Sequence, residues 1–350
     1  MVRGARLSDH GKDSLLTRSK LLGLTIGLVG MLALALPGLA SAALSGAGST
    51  LVAPLMTNWI SGFEAGGGTP VKYSAVGSGE GIKQISNGTV DFGASDAPMT
   101  AEQEASCESC VTIPWALSAT GVGFNVPGVN KLNLSGTVLA EIYLGKIKHW
   151  NDPKIAALNP KAKLPATGIT PVFRSDGSGD TYAFTNFLSK VSSTWRSQNG
   201  FGTSVGFGAG VGAKGNTGVT SLVHSTPGAI GYISAAYLIA GGLKVAAIEN
   251  RAGKFEFPNL SNIEEAATAV KRAQPNTGIS IVNPPKSAAK AYPISTFTYA
   301  IVPAGAPQAG PLKEFISYAL TKGQAYGAAL DFAPLPSVVL AAAQKALASL

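Results

Sequence analysis

Arg174-Ser175-Asp176-Gly177-Ser178-Gly179-Asp180-Thr181 follows an apolar stretch that begins at Ile169 and precedes one carrying Phe184, Phe187, Leu188 and Val191 on a single helical face. The first stretch reads as a strand and the second as a helix, so these residues form a strand-to-helix turn. A helix start leaves several backbone N–H groups unpaired, and the aligned peptide dipoles favour negative charge there. Glycines allow close backbone approach, and the hydroxyls add donors. The planar fork of Arg174 could grip two oxygens of an anion, with Asp176 placed to orient it through a salt bridge.

Two other turns share this grammar. Gly46-Ala47-Gly48-Ser49-Thr50 and Gly77-Ser78-Gly79-Glu80-Gly81 flank the strand-like run from Val71 to Val76. One such turn is ordinarily just a capped helix start. Three of them could converge on a tetrahedral oxyanion.

Working outward, strand-like and helix-like stretches alternate, which predicts an α/β fold. Val52, Leu55, Met56, Trp59, Ile60 and Phe63 recur on one helix face. Thr89 to Ala94 reads as a strand and Val138 to Lys148 as a helix. Leu312, Phe315, Ile316, Ala319 and Leu320 form a helix face closed by Gly323. Pro336 to Leu350 is expected to be helical, and residues 202–218 to be a long glycine-rich loop. No internal repeat is found.

The chain's beginning reads as an address. Arg3, Arg6, Lys12, Arg18 and Lys20 precede an apolar run from Leu21 to Leu36, and Ala40-Ser41-Ala42 offers a cleavage site. The run has 16 residues, short of the roughly 20 that a spanning helix needs. Residues 1–42 are therefore expected to be a signal peptide. With no cysteine before Cys107, the mature protein should be exported and soluble rather than lipid-anchored.

The leader takes five basic and two acidic residues with it, leaving 22 against 17, a net charge of +5 on 308 residues. That mild excess suits an anionic ligand. With no basic block or aromatic stripe, no nucleic-acid partner is expected. The mature length favours two lobes.

Cys107 and Cys110 are expected to form a local disulfide in an oxidising compartment. Only His149 and His224 remain after the leader, each isolated from cysteine and carboxylate clusters, so neither a metal site nor a Ser-His-Asp hydrolase is expected. Asp96, within Val90-Asp91-Phe92-Gly93-Ala94-Ser95-Asp96-Ala97-Pro98 and at the end of a mostly apolar strand, has two readings. It could cap a helix from Ala97 to Ala105, or it could accept the proton of a ligand.

Together with Ile142-Tyr143-Leu144-Gly145-Lys146-Ile147, Trp150-Asn151-Asp152-Pro153, Pro227-Gly228-Ala229-Ile230-Gly231-Tyr232 and Tyr292-Pro293-Ile294, these turns resemble the motifs of the periplasmic phosphate-binding component of ABC phosphate importers. The match runs in order through nearly all of residues 45–350. It implies a type II periplasmic binding protein fold with two α/β lobes, each a mixed sheet flanked by helices, joined by two crossovers. Lobe I is expected at 43–120 and 291–350, and lobe II at 121–290. The implied ligand is inorganic phosphate, held by a periplasmic monomer that is not an enzyme, uses no cofactor, and delivers to membrane permease subunits.

Carried over residue by residue, Thr50 and the backbone of Leu51 donate from the first turn and Ser78 from the second, with Asp96 accepting. Arg174, Ser178 and Gly179 donate from the third, while Ser49, Gly77 and Asp176 support. Asp180 stands where a donating Thr is common. Its carboxylate either faces the anion or caps its own helix. Glu80 stands where Gly is common and is expected to point away from the anion.

The resemblance also implies how phosphate is chosen. Phosphate keeps at least one proton at neutral pH and sulfate keeps none. A buried Asp96 carboxylate could accept that proton's hydrogen bond while repelling sulfate. Rival readings are weaker. Ser287-Ala288-Ala289-Lys290 fits the S-x-x-K of penicillin-binding enzymes but lacks its companion motifs. Residues 208–215 lack the hydroxyl that a nucleotide loop needs after Lys214. An exported hydrolase acting on phosphate esters or acyl substrates, or a binder of arsenate or sulfate, remains as an alternative.

Overall fold

The computed structural model describes residues 42–107 and 109–350, so the expected leader lies outside the described residues. Nine strands make the main sheet: β1 (Leu44–Gly48), β2 (Val71–Ala75), β3 (Phe92–Ser95), β4 (Cys110–Asn125), β5 (Thr170–Arg174), β6 (Val211–Ala213), β7 (Ala229–Ser234), β8 (Lys244–Val245) and β9 (Ser295–Pro303). Their order is β2-β1-β3-β9-β4-β7-β5-β6, with β8 also pairing β4. Parallel pairs lie toward both ends (β2-β1-β3 and β7-β5-β6), and the antiparallel β9 and β4 lie between. A second sheet of Asn133–Leu134, Ala247–Glu249 and Phe255–Glu256 is small.

β4 joins the two ends of the main sheet. Cys110 to Ala119 pair with β9, and Thr120 to Asn125 pair with β7. All of its 16 residues but the last are buried, in keeping with a near-continuous run of apolar and small residues.

The helix α1 (Ala53–Ala65) forms where the apolar spacing predicts it. Leu55, Met56, Trp59 and Phe63 are buried, and Pro54 sits in the first turn, where its missing N–H costs nothing. Trp59 meets Trp115 of β4 edge-on at 5.1 Å, and Phe92 of β3 meets the same ring at 6.0 Å. On the far side of β4, Tyr232 of β7 stacks on Phe184 at 4.6 Å, with Tyr143 nearby. These aromatic groups fix helices to sheet on both sides of the site.

Several sequence expectations need correction. The helix expected over Val138 to Lys148 spans Gly136–Tyr143, because Gly145 takes a positive φ and turns the chain. The helix expected to start at Ala97 is Ala101–Ser106, with Thr100 and Gln103 forming a capping box, so Asp96 is not its cap. The expected loop 202–218 contains β6 and the start of a helix at Gly215. The helix carrying Leu312 to Leu320 is closed by Thr321, while Gly323 lies in the next turn, where a Cβ would come 2.7 Å from Trp59 Nε1. Ser337–Ala348 is helical, and Cys107 and Cys110 are bonded to each other.

Close backbone packing positions the helix α2 (Ser78–Ser86) against β1. A Cβ on Gly81 would come 2.4 Å from Gly48 Cα and 2.7 Å from the Ala47 carbonyl oxygen. Replacing glycine inside a helix normally gains about 1 kcal/mol of propensity. Here overpacking should outweigh it. Gly81→Ala is expected to lower the unfolding free energy by about 1–3 kcal/mol in urea titration. A gain in stability would show that α2 is not pressed against β1.

Candidate functional site: three helix starts around buried charges

The three turns meet. α1 starts just after β1 and α2 just after β2, while a third helix, α3 (Gly179–Val191), starts after β5. Gly77 N donates to Gly48 O at 2.8 Å, and Gly79 N to Gly177 O at 3.0 Å, so the turns touch through their backbones. Gly77 has φ +99°, and a Cβ there would lie 2.5 Å from Asp176 Oδ2. Both conditions require glycine.

Asp96 sits among these starts, 1% exposed. Ser49 Oγ lies 2.6 and 2.7 Å from its two carboxylate oxygens and accepts from Val52 N at 3.2 Å. Ser78 Oγ donates to Asp96 Oδ2 at 3.3 Å and accepts from Asp96 N and Gly179 N at 3.2 and 3.1 Å. A Cβ on Gly179 would come 2.4 Å from Asp96 Cβ, so only glycine lets α3 start this close. The structure therefore brings Ser49, Gly77, Ser78, Asp96 and Gly179 to one place.

Arg174, at the end of β5, is 5% exposed. Its Nε donates to Asp176 Oδ1 at 2.8 Å and its Nη2 to Asp176 Oδ2, while Nη1 donates to Asp180 Oδ2 at 3.1 Å. Asp176 thus takes the Nε–Nη2 edge of the fork, as the salt bridge read from the sequence requires. A guanidinium has five N–H donors, so two remain for another acceptor. Ser178 caps α3 by accepting from Asp180 N and Thr181 N at 3.1 and 3.4 Å. Asp180 is consequently not the cap of its helix. Its carboxylate accepts from Thr120 Oγ1 at 2.7 Å, Asn216 Nδ2 at 2.7 Å and Arg174.

Thr50 joins this group from the side. Its Oγ1 accepts from Asn216 Nδ2 at 2.9 Å, and Leu51 follows it, fully buried. Glu80 bonds Gln84 one helical turn on, at 2.9 Å. Thr120, Asn216 and Tyr232, whose hydroxyl accepts from Arg174 N at 2.9 Å, were not singled out from the sequence. Of these, only Asn216 had a local signal, since Gly215-Asn216 is one more glycine–polar pair at a helix start.

Three carboxylates and one guanidinium share this region. Burial, and next the charge of Asp180, push the Asp96 carboxyl up to about 7, although Ser49, Arg174 and Ser78 favour its ionised form. Burial also raises Asp180, opposed by Arg174, Thr120 and Asn216. Burial works against an ionised Asp176 too, yet the Arg174 hydrogen bond and charge hold it below the usual carboxylate range. Arg174 itself is buried, a cost to its charge, but Asp176 and Asp180 hold it firmly protonated.

A family model described as the PBP superfamily domain matches residues 36–322. The phosphate-binding protein PstS of Haemophilus influenzae is 37% identical over 310 residues, which is 87% of this chain and 92% of that protein. The chain belongs to the PstS family of phosphate-binding proteins.

Solved structures agree in fold. A high-affinity periplasmic phosphate-binding protein, solved with phosphate bound, has a TM-score of 0.70 and 22% identity over 87% of this chain and 93% of its own. An ABC-type phosphate transport receptor from Vibrio cholerae has a TM-score of 0.56 and 19% identity, covering 84% of this chain and all of its own. The type II periplasmic binding protein fold that the resemblance implies is the fold of this family member. The S-x-x-K match lies off any helix, with Ser287 and Lys290 exposed. Among the described residues no cluster of three or more His, Cys, Asp or Glu could hold a metal ion.

The raised Asp96 carboxyl predicts a pH-dependent stability. The folded protein keeps the Asp96 proton to about pH 7, whereas an unfolded aspartate releases it near 3.8. Between those values the folded state binds more protons, so its stability falls as pH rises, by up to about 1.4 kcal/mol per unit. Asp96→Asn cannot titrate and lacks this component. Urea unfolding of the phosphate-stripped protein across this window should show the wild type losing stability relative to Asp96→Asn. Parallel profiles would mean that Asp96 ionises like an exposed aspartate.

Proposed function

We propose that this chain captures inorganic phosphate at the meeting of its three helix starts and delivers it to the membrane permease of an ABC-type phosphate importer. The observation that carries this reading is the pairing of opposites in one buried place. Arg174 is braced by two carboxylates and keeps two N–H donors, while the buried carboxyl of Asp96, an acceptor once ionised, stands nearby. A protonated oxyanion needs both.

In this reading Thr50, the Leu51 N–H, Ser78, Arg174, Ser178 and the Gly179 N–H donate to phosphate oxygens. Asp96 accepts a hydrogen bond from the ligand's own proton. Asp180 borders the anion while bracing Arg174. Ser49, Gly77 and Asp176 hold the first group in place. The names of the relatives support the ligand, and the Vibrio cholerae receptor's name supports the delivery. The leader supports export to the periplasm. None of the described helices is long and apolar enough to cross a membrane.

Lobe I (43–120 and 291–350) and lobe II (121–290) would close on phosphate by bending at two crossings. One is within β4, where its partner changes from β9 to β7 after Ala119, and the other is the return through Ala291 to Ile294. The site residues divide between those segments, with Thr50, Ser78 and Asp96 on one and Arg174, Ser178 and Gly179 on the other.

Calorimetric titration of the stripped protein with phosphate and with sulfate tests the function. Phosphate is expected to bind and sulfate to bind far more weakly. Arg174→Ala should weaken both anions, since it removes a cation that does not discriminate. Asp96→Asn should weaken phosphate by about 1–3 kcal/mol and narrow the gap to sulfate. A wild type indifferent to phosphate would contradict the function. An unchanged gap in Asp96→Asn would contradict the role given to Asp96.

A further inference from the structure

Asn216 is the second residue of the helix α4 (Gly215–Ser225) and is fully buried. Its amide nitrogen donates to Thr50 Oγ1 at 2.9 Å and to Asp180 Oδ2 at 2.7 Å, while its amide oxygen accepts from Ser234 N at 2.8 Å. The partners settle which way the amide faces. Ser234 N can only donate, and the Asp180 carboxylate, with three donors around its two oxygens, is an acceptor. One side chain therefore ties the turn after β1, the start of α3 and the end of β7.

The bond to Thr50 has a chemical consequence. A hydroxyl that accepts from Asn216 cannot point its own proton along the same line, so that proton stays free to donate to another acceptor. The same amide, by holding Asp180 Oδ2, fixes the oxygen that Arg174 Nη1 uses. α4 is itself tied to Asp176, because Gly215 N donates to Asp176 Oδ1 at 2.9 Å. Adjacent residues of one helix start thus reach both carboxylates that brace Arg174, and the second of them also reaches Thr50.

We propose that Asn216 is a positioning residue for phosphate capture. It orients the Thr50 hydroxyl as a donor and latches the Thr50 turn to the Arg174–Asp180 pair across the two lobes. This rests on the phosphate reading above. Asn216 itself need not touch the anion. Because the Asn216–Thr50 bond joins residues assigned to different lobes, it forms on closure and acts mainly on release of phosphate rather than on encounter.

A double-mutant cycle in phosphate affinity and dissociation rate tests this. The proteins are wild type, Asn216→Ala, Thr50→Val and the double variant, each with its thermal unfolding recorded. Asn216→Ala is expected to weaken phosphate binding about tenfold or more, with most of the change in the dissociation rate. Thr50→Val should cost clearly less in the Asn216→Ala background than in wild type, because the hydroxyl is no longer oriented. Should Asn216→Ala fail to fold, Asn216→Ser takes its place, since its short hydroxyl cannot span to Thr50. Additive losses, or a loss confined to thermal stability with phosphate release unchanged, would overturn the proposal and leave the phosphate reading standing. A wild type that does not bind phosphate would overturn both.

Discussion

A guanidinium taken out of water is tolerable only if its charge is answered and its donors are used. Arg174 has its charge answered by two carboxylates, Asp176 along one edge and Asp180 at Nη1, which take three of its five donors. Removing either would leave a buried charge short of a partner, which typically costs several kcal/mol. Much of the site follows from this. Asp176 must lie two residues beyond β5, and Gly77 must be glycine to clear it. Asp180 must sit in the first turn of α3, so the cap falls to Ser178. Its two oxygens then need Thr120 from β4 and Asn216 from α4. A single cation therefore organises donors from both regions of the sheet.

Charge balance gives the region its chemical character. Three carboxylates against one guanidinium would leave a deficit of positive charge if all were ionised. Asp96, buried and beside the charge of Asp180, holds its proton toward neutral pH. The three helix starts compensate in part, because their aligned peptide dipoles favour negative charge there. Once Asp96 is ionised, a ligand suited to this place must bring oxygens for those donors and a proton for that carboxylate. Phosphate has both at neutral pH and sulfate lacks the second, so discrimination can come from hydrogen bonding rather than size.

What the sequence revealed follows from how each feature is encoded. The α1 face from Val52 to Phe63 was legible because its spacing repeats. The three helix starts were legible because glycine and hydroxyl residues cluster at each. Asp96 was ambiguous because an aspartate before a possible helix reads equally as a cap, until Thr100 and Gln103 are seen forming a better one. The end of the helix at Tyr143 was missed because Leu144 and Ile147 continue its apolar spacing past Gly145. Asn216 and Thr120 were missed for a different reason. A lone amide and a lone hydroxyl carry no periodicity, and their importance lies in partners 166 and 60 residues away. Asp180 was read as facing the ligand or capping its helix. Its third role, bracing Arg174, becomes visible only when β4 and α4 are brought beside it.

Where phosphate sits decides the role of Asp96 and Arg174, and a crystal structure of the protein grown with phosphate measures it most directly. It should show the anion between Asp96 and Arg174, with one oxygen about 2.5–2.7 Å from an Asp96 carboxylate oxygen, the spacing of a charge-assisted O–H···O bond. Arg174 should reach the anion through N–H groups not used by Asp176 and Asp180. Phosphate found elsewhere, or bound there with Asp96 still engaged only by Ser49 and Ser78, would contradict those roles.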